Sequence, residues 1–212
     1  KTWKFFETFV GPNSHWLPPD NFQENPRSVV ANGTSPTNMG LSLLANLAAY
    51  DFGYISAGKL IERTASSLQT MKVLERFQGH FYNWYDIKLL EPMQPKYIST
   101  VDSGNLAGHL LTLQQGLLEL PDQKILLPQV FDGLADTLYI ILDAATKDDP
   151  LHESQEEIMP MQVLEQIRQF KNELLSPPST LLAAWMLLDK QARAVTGIID
   201  SLSPEADDNV LS

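Results

Sequence analysis

The 212 residues carry 15 Lys/Arg against 26 Asp/Glu, a formal net charge of −11, with 43% hydrophobic and 19% charged residues. Such a composition is globular and long enough to bury a core, in one large domain or two small ones, and it excludes wholesale disorder. An acidic surface repels phosphate backbones, so nucleic acid is a poor partner.

The absence of cysteine leaves no disulfide framework and no thiolate metal site. His15, His80, His109 and His152 never pair at a ligand spacing, so neither a metal nor a cofactor is expected. Asn32-Gly33-Thr34 matches a glycosylation acceptor, but Asn-Gly reads more simply as a turn. No apolar run reaches the roughly 18–20 residues of a membrane span. The chain opens at Lys1 without a methionine, and it is expected to be a soluble piece from the interior of a longer polypeptide. Charge and aromaticity divide it. Residues 1–120 hold nine Lys/Arg against ten Asp/Glu and fifteen of the nineteen aromatics, whereas residues 121–212 hold six against sixteen. Two regions with these bounds are expected to have different tasks.

In chain order, Gly11–Thr34 is a long aromatic and polar connection containing Trp16, Asp20, Asn21, Phe22 and Glu24. Pro36–Ala49 follows without a formal charge, and Ser35 before Pro36 predicts its N-cap, with Gly53 a stop. Lys59–Arg76 is amphipathic, with Ile61, Ala65, Leu68, Met71 and Leu74 predicted to form the buried face. Gly79–Thr100 is a second long connection, holding His80-Phe81-Tyr82-Asn83-Trp84-Tyr85-Asp86. Ser103–Leu118 is again uncharged, with Asp102 or Ser103 as its expected N-cap. Uncharged helices are expected to be the most buried, and their alternation with an amphipathic one suits concentric rings of helices. From residue 127 a four-three rhythm takes over. Leu127, Phe131, Leu134, Leu138, Ile141 and Ala145 form one seam, and Val163, Ile167, Phe170 and Leu174 form another. Leu181, Trp185, Leu188, Ala192, Val195, Ile199 and Leu202 form a third. They predict an antiparallel bundle broken at Asp148-Asp149-Pro150 and at Pro177-Pro178, with Glu205–Ser212 as an acidic tail.

Long irregular connections inside compact domains tend to be functional. Sugars present flat C–H faces edged by hydroxyls, so their sites pair aromatic platforms with carboxylates and amides. Tyr82, Trp84, Tyr85 and Asp86 in one loop, and Trp16, Asp20 and Asn21 in the other, fit that demand; the bland alternative is that the aromatics are core. Asn38 at the start of the first uncharged segment, with Asp102 and Asn105 at the start of the second, could face the same pocket. Asp20, Glu24, Asp86 and Asp102 are the carboxylates available for glycoside chemistry, which needs two.

The runs TWKFFETFVGPNSHWLPPDNFQENP, TSPTNMGLSLLANLAAYDFGYI, and GHFYNWYD followed by YISTVDSGNLAGHLL closely resemble the middle region of bacterial cyclic β-1,2-glucan synthases. The resemblance covers residues 2–111 in order; past residue 120 it is one of helical character and position. It implies a large inner-membrane enzyme with glycosyltransferase, glucoamylase-like and phosphorylase-like parts. The middle part would cyclise β-1,2-glucan by transglycosylation on the cytoplasmic side. It further implies an all-α fold, a partial (α/α) toroid followed by the antiparallel bundle or hairpin. The sugar would sit in a funnel lined by inner-helix starts, with the transferring carboxylates beyond Ser212. On this reading the isolated chain binds glucan and the remaining domains of its parent without turning glucan over. The alternatives are a non-catalytic glucan-binding module and a helical interaction scaffold.

Overall fold

A computed structural model of the chain describes residues 2–124, 126–146 and 159–202. The expected break at Asp148-Asp149-Pro150, His152, the Leu202 side chain and the stretch Glu205–Ser212 lie outside the described residues. Two compact units divide the chain, Lys1–Ile125 and Leu126–Ser212. The described residues are 64% helical, in seven α-helices, so the fold is mainly α. It is not wholly so. Seven two-residue strands punctuate the loops of the first unit: β1 Phe22–Gln23, β2 Val29–Val30, β3 Gly33–Thr34, β4 Arg76–Phe77, β5 His80–Phe81, β6 Tyr85–Asp86 and β7 Glu91–Pro92. All pair antiparallel, β1 with β2, β4 with β5, and β3, β6 and β7 in that order.

Four helices build the first unit: α1 Thr2–Phe9, α2 Pro36–Asp51, α3 Ala57–Val73 and α4 Thr100–Glu119. Serine caps three of them by the same chemistry, a hydroxyl accepting an otherwise orphaned first-turn N–H. Ser35 accepts from Asn38 at 3.2 Å, Ser56 from Lys59 at 3.2 Å, and Ser99 from Asp102 at 3.1 Å. The cap of α4 is therefore Ser99, not Asp102 or Ser103, which leaves the Asp102 carboxylate free for other partners.

Contacts between α2 and α4 advance together along both helices. Thr37 meets Asp102, Gly40 meets His109, Leu47 meets Gly116, and the Tyr50 hydroxyl reaches Gln123 at 2.6 Å. The helices therefore run parallel, with both N-termini at one end. Glycine permits the approach: a Cβ on Gly40 would lie 2.9 Å from both Cβ and Cγ of His109. Leu17, Met39, Leu43, Met71, Leu74, Tyr85, Ile87, Leu106 and Leu113 form the core around this pair.

Burial departs from expectation on two helices. α2 is deeply buried, with Met39, Leu43 and Asn46 at 1% exposure or less. On α4 only Leu106 and Leu113 are buried, and Val101, Leu111 and Leu118 stand more than 60% exposed. Lack of charge along a helix does not bury it unless neighbours cover both sides, and here α2 covers one. On α3 the inward stripe is Leu60, Arg63, Thr64, Ser67 and Met71, while Ile61 of the predicted apolar face is 55% exposed. The cause is Arg63. Its guanidinium lies inside, donating to Asn46 Oδ1 at 3.0 Å and to the Phe6 and Val10 carbonyls at 2.9 and 3.1 Å, between the Trp3 and Trp16 rings. Burial lowers its pKa, an effect offset in part by Glu7 and Glu62.

The second unit contains α5 Gln129–Thr146, α6 Met161–Leu174 and α7 Leu181–Leu202. Phe131 and Ala135 near the start of α5 cluster with Leu174 at the end of α6, and Lys171 lies over Tyr139, so these two helices run antiparallel. Gln191 of α7 reaches back to the Phe170 carbonyl, and Lys190 pairs with Glu173 at 2.8 Å. The predicted α6 seam of Val163, Ile167, Phe170 and Leu174 is buried. The α7 seam is displaced: Ala184 and Gln191 are buried, whereas Leu181, Trp185, Val195 and Ile199 are exposed. α7 carries apolar residues on two faces, and the cluster with Phe131 and Ala135 of α5 and Leu174 of α6 covers the one centred on Ala184.

Gly40 and Gly108 make a test of the parallel contact, since nothing lies within 4 Å of a Cβ built on Gly108. Gly108→Ala is expected to stabilise by about 0.5–1 kcal/mol through helix propensity, and Gly40→Ala to destabilise by about 1–3 kcal/mol through overpacking. Thermal or denaturant unfolding measures both, and equal shifts for the two variants would contradict the close contact.

Candidate functional site

Strand pairing brings the two aromatic loops together. Gly33 and Thr34 oppose Asp86 and Tyr85, the Ile87 N–H donates to the Asn32 carbonyl at 2.9 Å, and the Asp20 N–H donates to the Ala31 carbonyl at 3.1 Å. Alternation along β6 then decides which aromatics face where. Tyr85 points into the core at 0% exposure, with its hydroxyl donating to the Glu75 carbonyl and accepting from the Tyr82 N–H. Burial pushes that phenol up to about 12. Trp84 faces the other way, onto a cleft of about 440 Å³ that it shares with Asp20, Gly33, Met93 and Tyr97.

The starts of α2 and α4 supply a polar cluster beside this wall. The Thr37 hydroxyl donates to Asp102 Oδ1 at 2.7 Å and accepts from the Asn105 amide at 3.1 Å. One residue on, the Asn38 amide donates to Asp20 Oδ1 at 3.0 Å, and Asn21 donates to Asp20 Oδ2 at 2.9 Å. Of the two orientations of the buried Asn83 amide, one leaves its oxygen facing only acceptors. The other satisfies three bonds: its nitrogen donates to Asp102 Oδ2 at 2.7 Å, and its oxygen accepts from the Tyr97 hydroxyl at 2.6 Å and from Trp84 Nε1 at 2.8 Å.

Asp20, Asn21, Asn38, Trp84, Asp102 and Asn105 thus belong to one connected set. Trp16, Tyr82, Tyr85 and Asp86 do not. The Trp16 ring lies 5.7 Å from the Arg63 guanidinium, and its carbonyl accepts from Ser67. Lys96 sits 5.4 Å above Tyr82. Asp86 Oδ1 accepts the N–H groups of Lys88 and Leu89 at 2.7 and 3.0 Å, closing a turn. Glu24 lies exposed beside the β1–β2 hairpin, and no contact ties it to the cluster. Sequence reasoning did not single out Met93 or Tyr97 for the site. For Tyr97 a signal existed, since it stands two residues before the α4 cap in the same run, YIST.

Burial alone would raise the Asp102 carboxyl, but the hydroxyls of Ser99, Thr37 and Ser35 gathered around it outweigh that effect and hold it below its ordinary value of 3.8. The positive ends of two helix dipoles act in the same direction. A carboxylate held ionised accepts hydrogen bonds and cannot serve as a general acid near neutrality. The cluster therefore suits a neutral ligand rich in hydroxyls laid against an aromatic wall. No group of three or more His, Cys, Asp or Glu placed to hold a metal occurs among the described residues. No described helix is long and apolar enough to cross a membrane.

A depressed folded-state value means that Asp102 contributes stability above the unfolded value and loses it as pH falls through the folded one. Asp102→Asn is expected to lower the melting temperature at pH 7, with the deficit shrinking below about pH 4 as the parent chain protonates. Melting curves of equal separation at every pH would remove the charge from the account.

No family model matches the chain. Over 177 residues, 82% of its length, it is 39% identical to the cyclic beta-(1,2)-glucan synthase NdvB of Rhizobium meliloti, and it spans 6% of that protein. Two crystal structures of proteins provisionally named glucoamylases overlap it in part. That from Bacteroides fragilis has 17% identity and a TM-score of 0.38, covering 82% of this chain and 33% of the other. That from Bacteroides caccae has 18% identity and a TM-score of 0.34, covering 81% and 33%. Likenesses of that size carry no weight beside the sequence match. The resemblance read in the motifs is thereby shown: over most of its length this chain is similar to a cyclic β-(1,2)-glucan synthase, of which it spans a small part.

Proposed function

We propose that the first unit binds β-1,2-glucan, as part of a larger enzyme that rearranges such chains by transglycosylation. The observation that carries this reading is the cleft where Trp84 and Tyr97 stand beside Asp20, above the paired starts of α2 and α4. Parallel helices that begin at a common site are what the inner ring of an (α/α) toroid would present. On this reading α2 and α4 are inner helices, α3 is an outer one, and residues 1–120 are an incomplete ring. Residues 121–212 act as an acidic helical bundle with a separate task. The remaining domains of the parent polypeptide are the expected partners, and the parent is placed at the cytoplasmic side of the inner membrane.

Turnover needs two suitably held carboxyl groups, one of them able to give up a proton in the transition state. Asp102 is held ionised, Asp86 closes a turn, and Asp20 stands exposed. The resemblance implies that the transferring pair belongs to a part of the parent beyond this chain, and the state of these three carboxylates agrees with that. A second reading, a helical interaction module, draws on Leu181, Leu182, Trp185 and Met186, which stand about 60% exposed on α7.

Calorimetry with linear β-1,2-gluco-oligosaccharides tests the first reading. The expected result is saturable binding that Trp84→Ala weakens by about tenfold, as loss of an aromatic platform should, and that Asp86→Asn leaves unchanged. Mass spectrometry of the same mixtures should find no cyclic or length-shifted product. Absence of binding, together with self-association that Trp185→Ala abolishes, would favour the interaction module. Product formation abolished by Asp20→Asn would place the chemistry within this chain.

A further inference from the structure

Asn83 is 7% exposed and lies behind the cleft wall rather than on it. Its main-chain N–H donates to the Tyr97 carbonyl at 2.8 Å, and its amide holds the Tyr97 hydroxyl, the Trp84 indole N–H and Asp102 together. Among the described residues this combination is made by Asn83. Two donors, a phenol and an indole, converge on one oxygen, while the ionised Asp102 requires a donor facing it. A carboxamide offers an acceptor and a donor on adjacent atoms. An aspartate at 83 would set two carboxylates against each other, and an aliphatic side chain would leave all three partners unsatisfied.

The consequence concerns the two aromatic rings. Tyr97 is 49% exposed and Met93 44%, so packing alone does not fix this wall. Through Asn83 both rings are tied to one oxygen, and through Asp102 that oxygen's amide is tied to the starts of α2 and α4. We propose that Asn83 is the positioning residue of a preformed aromatic clamp, Trp84 and Tyr97, which takes the flat face of a glucosyl ring with Asp20 at its polar edge. This rests on the glucan-binding reading and adds to it a specific subsite and the residue that holds it rigid. Rigid walls bind more tightly because less side-chain freedom is lost on association.

The test combines a ligand-free readout with a binding one, on the full chain. In ¹⁵N-tryptophan spectra, the Trp84 indole N–H, assigned by its loss in Trp84→Phe, should be protected from solvent exchange and displaced from the position of a free indole. Asn83→Ala should return it to the free position and weaken binding of linear β-1,2-gluco-oligosaccharides about tenfold or more, in keeping with the loss of more than one buried hydrogen bond. Tyr97→Phe removes a single hydroxyl at a half-exposed site and leaves the second donor to the Asn83 oxygen in place; it should weaken binding about fivefold while lowering the melting temperature by no more than about 2–4 °C. Binding by the parent chain that neither variant alters would overturn the clamp while leaving the glucan reading intact. An indole signal that Asn83→Ala leaves in place would also overturn it. Absence of binding by the parent chain would sink the glucan reading, and the clamp's ligand with it.

Discussion

The Asp102 carboxylate lies where two parallel helices begin, and much of the first unit follows from that placement. Parallel packing brings like dipole ends together, and the amide-rich starts of α2 and α4 would repel without a negative charge between them. Asp102 supplies it from the first turn of α4 while accepting the Thr37 hydroxyl at the first turn of α2. That bond sets the register. With Thr37 opposite Asp102, Gly40 falls against His109 and Gly116 against Leu47; a Cβ on Gly40 would press on the fixed Cβ of His109, whereas one on Gly116 would meet the movable end of Leu47. The cleft wall is tied to the same carboxylate through Asn83, so helix register and site geometry are fixed by one group.

Much of this was legible in the sequence, and the illegible parts share a cause. The Ser35 cap, the proline that follows it at the start of α2 and the two aromatic loops are local signals, and local chemistry decides them. Which face of a helix is covered is not local. α3 hides a polar stripe because Arg63 finds carbonyls from α1 and an amide from α2, none of them near it in sequence. α7 has apolar residues on two faces, and a partner helix chooses between them. Trp16 and Trp84 sit in loops of similar composition, yet Trp16 stacks beside Arg63 and Trp84 faces the cleft. What separates them is strand alternation across β6, visible only once β3 is known to pair with it.

Charge is unevenly distributed along the chain. The first 120 residues are nearly neutral, and the carboxylates of the cluster there are occupied by hydrogen bonds from amides and hydroxyls rather than by lysine or arginine. On the proposed reading, a site so composed would discriminate by hydroxyl geometry instead of net charge. The surplus of negative charge lies in residues 121–212.

Arg63 bears on how this region can change through evolution. A buried cation usually faces a carboxylate, and the two can be exchanged together for an apolar pair. Here the charge is met by two main-chain carbonyls, one asparagine amide and two indole faces. Main-chain oxygens cannot be mutated away. A lysine lacks the planar fork that reaches three acceptors, and a methionine would strand all of them. Substitution at 63 is therefore strongly epistatic with Trp3, Trp16 and Asn46, and single-step paths away from arginine pass through a destabilised intermediate. Through this one side chain, α3 is tied to α2, to the end of α1 and to the loop that holds Trp16.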